Sequence, residues 1–297
     1  AEVHDEDERG GDADPEVVDR KCRVAFRGDV FFGGVSAVRT GVGGGGRAHR
    51  YGGEEFAILF PNGDPAAVRG QLEDLRAAIA DTDCTVINVL PGTYTLTSSG
   101  SGHLDIDRGV TIRNTGGGRV IIDADGASRV IYMRDVTAAV TLEGLTIQGG
   151  YNQDGSGLYV ENGTLTLNSS TVTGNSGNGK LGTGLLSKSS TTLIVNSTIS
   201  GNTGGQKGGG LYLDNGTVTL LNSTVSGNTA AFGGGGIRNS GTLVFEHVTV
   251  ADNTANPPAS GGTGVFTEGT VTVANSLFAD DCGASTGSFV SNGGNLE

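Results

Sequence analysis

The chain has 297 residues, a formal net charge of −13 and 54 glycines, more than double the usual glycine share of ~7%. Glycine follows no three-residue period, which excludes a collagen-like helix, and no apolar run approaches the ~18 residues of a membrane span. The acidic balance argues against nucleic acid as a partner, because phosphate binding needs clustered Lys and Arg. With no Trp, one Met and few aromatics, the core has to be built from Val, Ile, Leu and Thr.

The first twenty residues are charge-rich and are expected to be disordered. The start on Ala rather than Met reads as a processed or trimmed terminus. Residues 21–84 read as a small α/β segment that ends in a helix. Asp64 caps that helix and Pro65 suits its first turn. Val68, Leu72, Leu75 and Ile79 then form one apolar stripe, suited to covering the open edge of a parallel stack. The three cysteines, Cys22, Cys84 and Cys282, have no metal-site spacing and cannot all pair, so no disulfide framework is expected. Cys84 and Cys282 would stand roughly 35 Å apart at about 4.8 Å per coil, beyond disulfide reach.

From about residue 85 the text repeats. Ser169–Asn175 (SSTVTGN), Asn196–Asn202 (NSTISGN), Asn222–Asn228 (NSTVSGN), His247–Asn253 (HVTVADN) and Asn275–Asp281 (NSLFADD) are copies of one unit. Their closing residues, Asn175, Asn202, Asn228, Asn253 and Asp281, lie 27, 26, 25 and 28 residues apart. Between copies run short alternating stretches such as GLYVENGTLTL and GLYLDNGTVTLL, whose period of two indicates strands and whose Asn-Gly and Gly-Gly pairs indicate turns. One coil of this length cannot bury its own apolar face, whereas stacked coils bury a continuous column. The fold predicted is an all-β right-handed parallel β-helix over 85–297, with about seven or eight coils.

Aligned coils give one inward column, Ile131, Leu158, Leu185, Leu211, Ile237 and Val265. Two residues on, Met133, Val160, Ser187, Leu213 and Thr267 also point inward. The outward neighbours alternate in sign as Arg134, Glu161, Lys188 and Asp214, a ladder of pairable charges. Asn196, Asn222 and Asn275, interrupted by His247, are expected to form a side-chain amide ladder. Two of the five N-x-S/T sequons fall in that ladder, so these positions read as structural rather than as glycosylation sites.

The unit GGGLYLDNGTVTLLNSTVSGNTA (Gly208–Ala230) and the stretch LPGTYTLT (Leu90–Thr97) resemble the right-handed parallel β-helix proteins of bacterial surfaces, including polymorphic outer-membrane-protein and adhesin-like repeats. The resemblance implies an extracellular or surface-displayed bacterial protein that is structural or adhesin-like rather than catalytic. Its partner would be a polysaccharide or another surface or matrix protein, with self-association through the solenoid end. The exterior aromatics Tyr132, Tyr159, Tyr212 and Phe266 are the candidate glycan platform, since sugar rings favour apolar faces flanked by polar groups.

The alternative is a polysaccharide lyase or hydrolase of the pectate-lyase-like class, which the same fold supports. For it, Asp105, Asp107, Asp123 and Asp125 are the candidate ligands of a Ca²⁺ ion. A third reading comes from Arg50–Pro61, RYGGEEFAILFP, which resembles the signature of GGDEF diguanylate cyclases. There Gly52, Gly53 and Glu54 would lie in a hairpin against a nucleotide, with Glu54 on a metal. The rest of that family's site is missing here, because Pro15-Glu16-Val17-Val18 stands where its Phe-Lys and Asn-Asp belong.

Overall fold

The computed structural model describes residues 21–24, 50–51, 55–56, 65–96, 102–179, 181–256 and 262–296. Within them the chain winds as a parallel β-solenoid of about seven turns. Each full turn lays one strand on each of three faces, and every rung-to-rung pairing is parallel.

The first face stacks Leu104–Ile106, Ile131–Arg134 and Leu158–Glu161, then the leading halves of the long strands Leu185–Val195 and Leu211–Leu221, then Ile237–Asn239, Val265–Thr267 and Cys282–Ala284. The second face includes Val86–Val89, Thr111–Asn114, Ala139–Glu143 and Thr164–Asn168, continuing to Ser288–Ser291. The third is an eight-stranded ladder from Gly92–Thr95 to Leu277–Phe278.

The inward column sits in the register expected of it. Ile131, Leu158, Leu185, Leu211, Ile237 and Val265 lie directly over one another and are all buried. Each such side chain contributes about 1.5–3 kcal/mol by leaving water. The next inward column holds Met133, Val160, Ser187, Leu213, Asn239 and Thr267, also buried. Its polar members are satisfied inside the core: Ser187 meets the Thr192 hydroxyl of the next face at 2.9 Å, and Asn239 Nδ2 donates to Thr267 Oγ1 at 2.9 Å.

Three corners turn the chain through left-handed residues. After the first face these are Asp135, Asn162, Ser189 and Asn215, with φ between 47° and 61°. After the second they are Ser169, Asn196, Asn222, His247 and Asn275, with φ between 47° and 55°. The third corner uses Gly174, Gly201 and Gly227, then Asp252.

This geometry relocates the amide ladder. Asn196, Asn222 and Asn275 are exposed corner residues, chosen because Asn tolerates the left-handed conformation. The inward seat beside them belongs to the following serine: Ser170, Ser197, Ser223 and Ser276 are buried, and Ser170 N–H donates to Ser197 Oγ at 3.1 Å. The amide ladder lies one corner further on, at Asn175, Asn202, Asn228 and Asn253. Each donates Nδ2 to the next Oδ1 at 2.9 Å, and Asn253 ends on the Asp280 carboxylate at 2.7 Å. Asp280, not Asp281, therefore closes the series.

The helix Pro65–Ala80 starts at the expected proline and buries Leu72, Leu75 and Ile79 against the first coils. Asp64 lies outside the described residues. Arg108 holds the other end of the helix: Nη2 donates to Ala78 O at 3.0 Å and Nε to Ile79 O at 2.7 Å, while Nη1 reaches Cys84 O at 2.7 Å. Two features of this end are absent from the sequence reading. Lys21–Val24 forms a parallel rung on Val86–Val89, ahead of the expected start near residue 85. Cys84 is buried and disulfide-bonded, so a covalent link exists where no disulfide framework was expected.

Candidate functional site

The outward positions of the first face fall into two columns. Tyr132, Tyr159, Leu186, Tyr212, Arg238 and Phe266 stand in register, and beside them run Arg134, Glu161, Lys188 and Asp214. Period two puts both columns on the side away from the core.

The charge ladder forms over Arg134, Glu161 and Lys188, while Asp214 stands in register with Lys188 without closing an ion pair among the described residues. Glu161 is its hub: Oε1 accepts from Lys188 Nζ at 2.7 Å, and Oε2 pairs with Arg134 Nε at 3.1 Å. Tyr159 donates its hydroxyl to Glu161 Oε2 at 3.0 Å. The bond from Lys188 holds the Glu161 carboxyl below the ordinary carboxylate range, against a smaller opposing effect of burial. The same bond raises Lys188, and a hydrogen bond with Tyr132 raises Arg134. Tyr159 is pushed up, first by burial and then by the hydrogen bond to Glu161.

The aromatic column is not one continuous platform. Tyr212 and Phe266 are each only 7% exposed and Leu186 is 1% exposed. The loop entering each of these strands folds back against the outside of the sheet, at Gly155 beside Tyr159 as well as at Gly208. A Cβ placed on Gly208 would stand 3.0 Å from the Tyr212 Cα, so backbone lies flat against the column there. Phe266 is further covered by the Arg238 guanidinium, 3.9 Å from its ring centre. Burial also raises the Tyr212 hydroxyl.

Towards the N-terminal end the column is only half covered. Tyr132 and Tyr159 have ring centres 5.2 Å apart, and His103 meets Tyr132 edge-on at 5.3 Å. Arg129, on the loop entering the Tyr132 strand, lies 5.0 Å from the Tyr132 ring centre and 4.6 Å from that of Tyr159. Its Nε donates to Gly155 O at 2.9 Å and its Nη2 to Asp154 O at 2.7 Å. Burial lowers the Arg129 pKa from its ordinary value. In the sequence Arg129 stands out only as part of the acid- and Arg-dense stretch from Asp105 to Arg134, not as a member of the tyrosine platform. Its position two residues before the inward column was the available signal, but only the folded loop brings it over both rings.

The four candidate calcium ligands do not form one set. Asp105 stands on the first face in register with Tyr132, and its Oδ1 is 3.0 Å from His103 Nε2. Asp107 follows that strand. Asp123 stands on the third face, where its carboxylate accepts from Gln148 Nε2 at 2.7 Å and from the Asp125 N–H at 2.8 Å. Among the described residues no three His, Cys, Asp or Glu side chains converge on one metal position.

The family model for the right-handed beta helix region matches residues 129–297, the stretch whose rungs are described above. The chain belongs to the right-handed β-helix family. No curated protein and no solved structure matches the chain. The comparisons give no support to the GGDEF resemblance of the N-terminal third of this β-helix protein. Gly52, Gly53 and Glu54 lie outside the described residues; the flanking pairs Arg50–Tyr51 and Glu55–Phe56 form a short antiparallel ladder.

Proposed function

We propose that this β-helix protein is an extracellular or surface-displayed bacterial component, adhesin-like and non-catalytic, that binds glycans at the N-terminal end of its first face. The observation carrying this reading is the half-exposed pair Tyr132 and Tyr159, side by side at 5.2 Å and rimmed by Arg129, His103 and Asp105. Aromatic faces beside hydrogen-bonding groups suit the apolar face and hydroxyl rim of a sugar ring. The disulfide at Cys84 supports an oxidising compartment. Among the described residues no helix is long and apolar enough to cross a membrane.

A glycan array probed with the wild-type chain and with Tyr132→Ala/Tyr159→Ala tests the reading. Binding that survives both substitutions unchanged overturns it. Calcium-dependent depolymerisation of a uronate polymer by the wild-type chain would replace it with the lyase reading.

A further inference from the structure

We infer that Arg129 reads a negatively charged substituent, a carboxylate or a sulfate ester, on the sugar held over Tyr132 and Tyr159. This rests on the glycan-binding reading of the same face and adds the chemical class of its ligand.

The argument is the incomplete accounting of one charge. Arg129 is half-buried and lies over two neighbouring aromatic rings, and burying a guanidinium is costly unless its charge is matched. Among the described residues no carboxylate makes a direct ion pair with it, although Asp154 and Asp105 lie close enough to favour its charged form. Its partners are the carbonyls of Asp154 and Gly155 and the amide oxygen of Asn152, through Nε and Nη2 alone. Nη1 donates to nothing among the described residues.

Two other arginines set the contrast. Arg108 is a purely structural carbonyl clamp, and all three of its nitrogens are engaged. Arg238, stacked on Phe266 in the same outward column, carries its own counter-ion, Glu268, at 2.6 Å. Arg134 and Lys188 beside the site are already matched by Glu161. Arg129 is the stacked cation of this face that no carboxylate among the described residues pairs with directly, Asp154 and Asp105 favouring its charge only from further off, and it edges the half-exposed tyrosines. Stacking fixes the plane of the guanidinium, and the carbonyl bonds fix its rotation, so Nη1 is presented in one direction.

The test is a binding titration with three short oligosaccharides of equal length: a uronate, a sulfated sugar and a neutral one. Short probes limit long-range repulsion from a chain of net charge −13. At least one charged oligosaccharide is expected to bind about tenfold or more tighter than the neutral one, the worth of one charge-assisted hydrogen bond. Arg129→Gln is expected to abolish that margin, so that charged and neutral probes bind the variant alike, and whichever charged probe holds the larger margin on the wild-type chain identifies the substituent. In the wild-type chain the margin should also shrink as salt rises, a measurement that needs no variant. Equal binding of charged and neutral probes overturns the inference while glycan binding stands. Binding of none of the three overturns the glycan reading itself.

Discussion

Glu161 shows how one side chain organises the candidate site. It accepts from Tyr159, Lys188 and Arg134 at once, so it fixes the Tyr159 ring through its hydroxyl as well as neutralising two cations. Glu161→Gln keeps the shape and loses the charge, and is expected to cost about 1–3 kcal/mol at neutral pH by chemical denaturation. The pH dependence follows from the sign of the shift. A carboxyl whose folded pKa lies below its unfolded value contributes stability above the unfolded pKa, near 4.3 for Glu, and loses it as pH falls through the folded pKa. The wild-type chain should therefore lose stability more steeply than Glu161→Gln as pH drops below about 4.3. Parallel acid limbs for the two proteins would show that the ladder is too well solvated to matter.

Among the elements, the buried amide ladder is the most exacting. Asn202 Oδ1 accepts from the Asn175 backbone and amide, while its Nδ2 donates to Val172 O and Asn228 Oδ1. Asn202→Ala leaves all of these groups without that partner inside the core. At about 1–3 kcal/mol for each buried group left unsatisfied, a loss of at least about 3 kcal/mol is expected. An exposed corner offers the control: Asn196→Gly keeps the left-handed conformation and is expected to be nearly neutral in the same melt. The capping helix gives a second element-level expectation. Leu75 is fully buried, and Leu75→Ala should cost about 2–5 kcal/mol, read as a lowered unfolding midpoint.

At the scale of the whole molecule, stability is a chain of nearest-neighbour terms, because each coil touches only the coils beside it. The Cys84 disulfide and the Arg108 clamp both act at the N-terminal end, where the helix closes the stack. Reduction, or Cys84→Ser, is therefore expected to lower the melting temperature and to raise hydrogen exchange first in the helix and the opening rungs, at a cost of about 2–5 kcal/mol. Uniform loosening along the solenoid would contradict nearest-neighbour behaviour.

The fold was legible in the sequence because a solenoid is one-dimensional: like residues recur every 25 to 28 positions, and stacking turns that recurrence directly into contact. The columns from Ile131 to Val265 and from Arg134 to Asp214 follow from counting alone, as does the helix that begins at Pro65. Counting could not say which asparagine of each repeat points inward, since a single left-handed corner residue shifts the inward seat from Asn196 to Ser197 and Asn202. Nor could it say which outward aromatics stay uncovered. Loops from one coil lie across the outside of the sheet, so the tertiary structure alone hides Tyr212 and Phe266, leaves Tyr132 and Tyr159 half-exposed, and carries Arg129 onto their rings. Rungs are set by periodic local pattern, whereas exposure is set by irregular segments that obey no period.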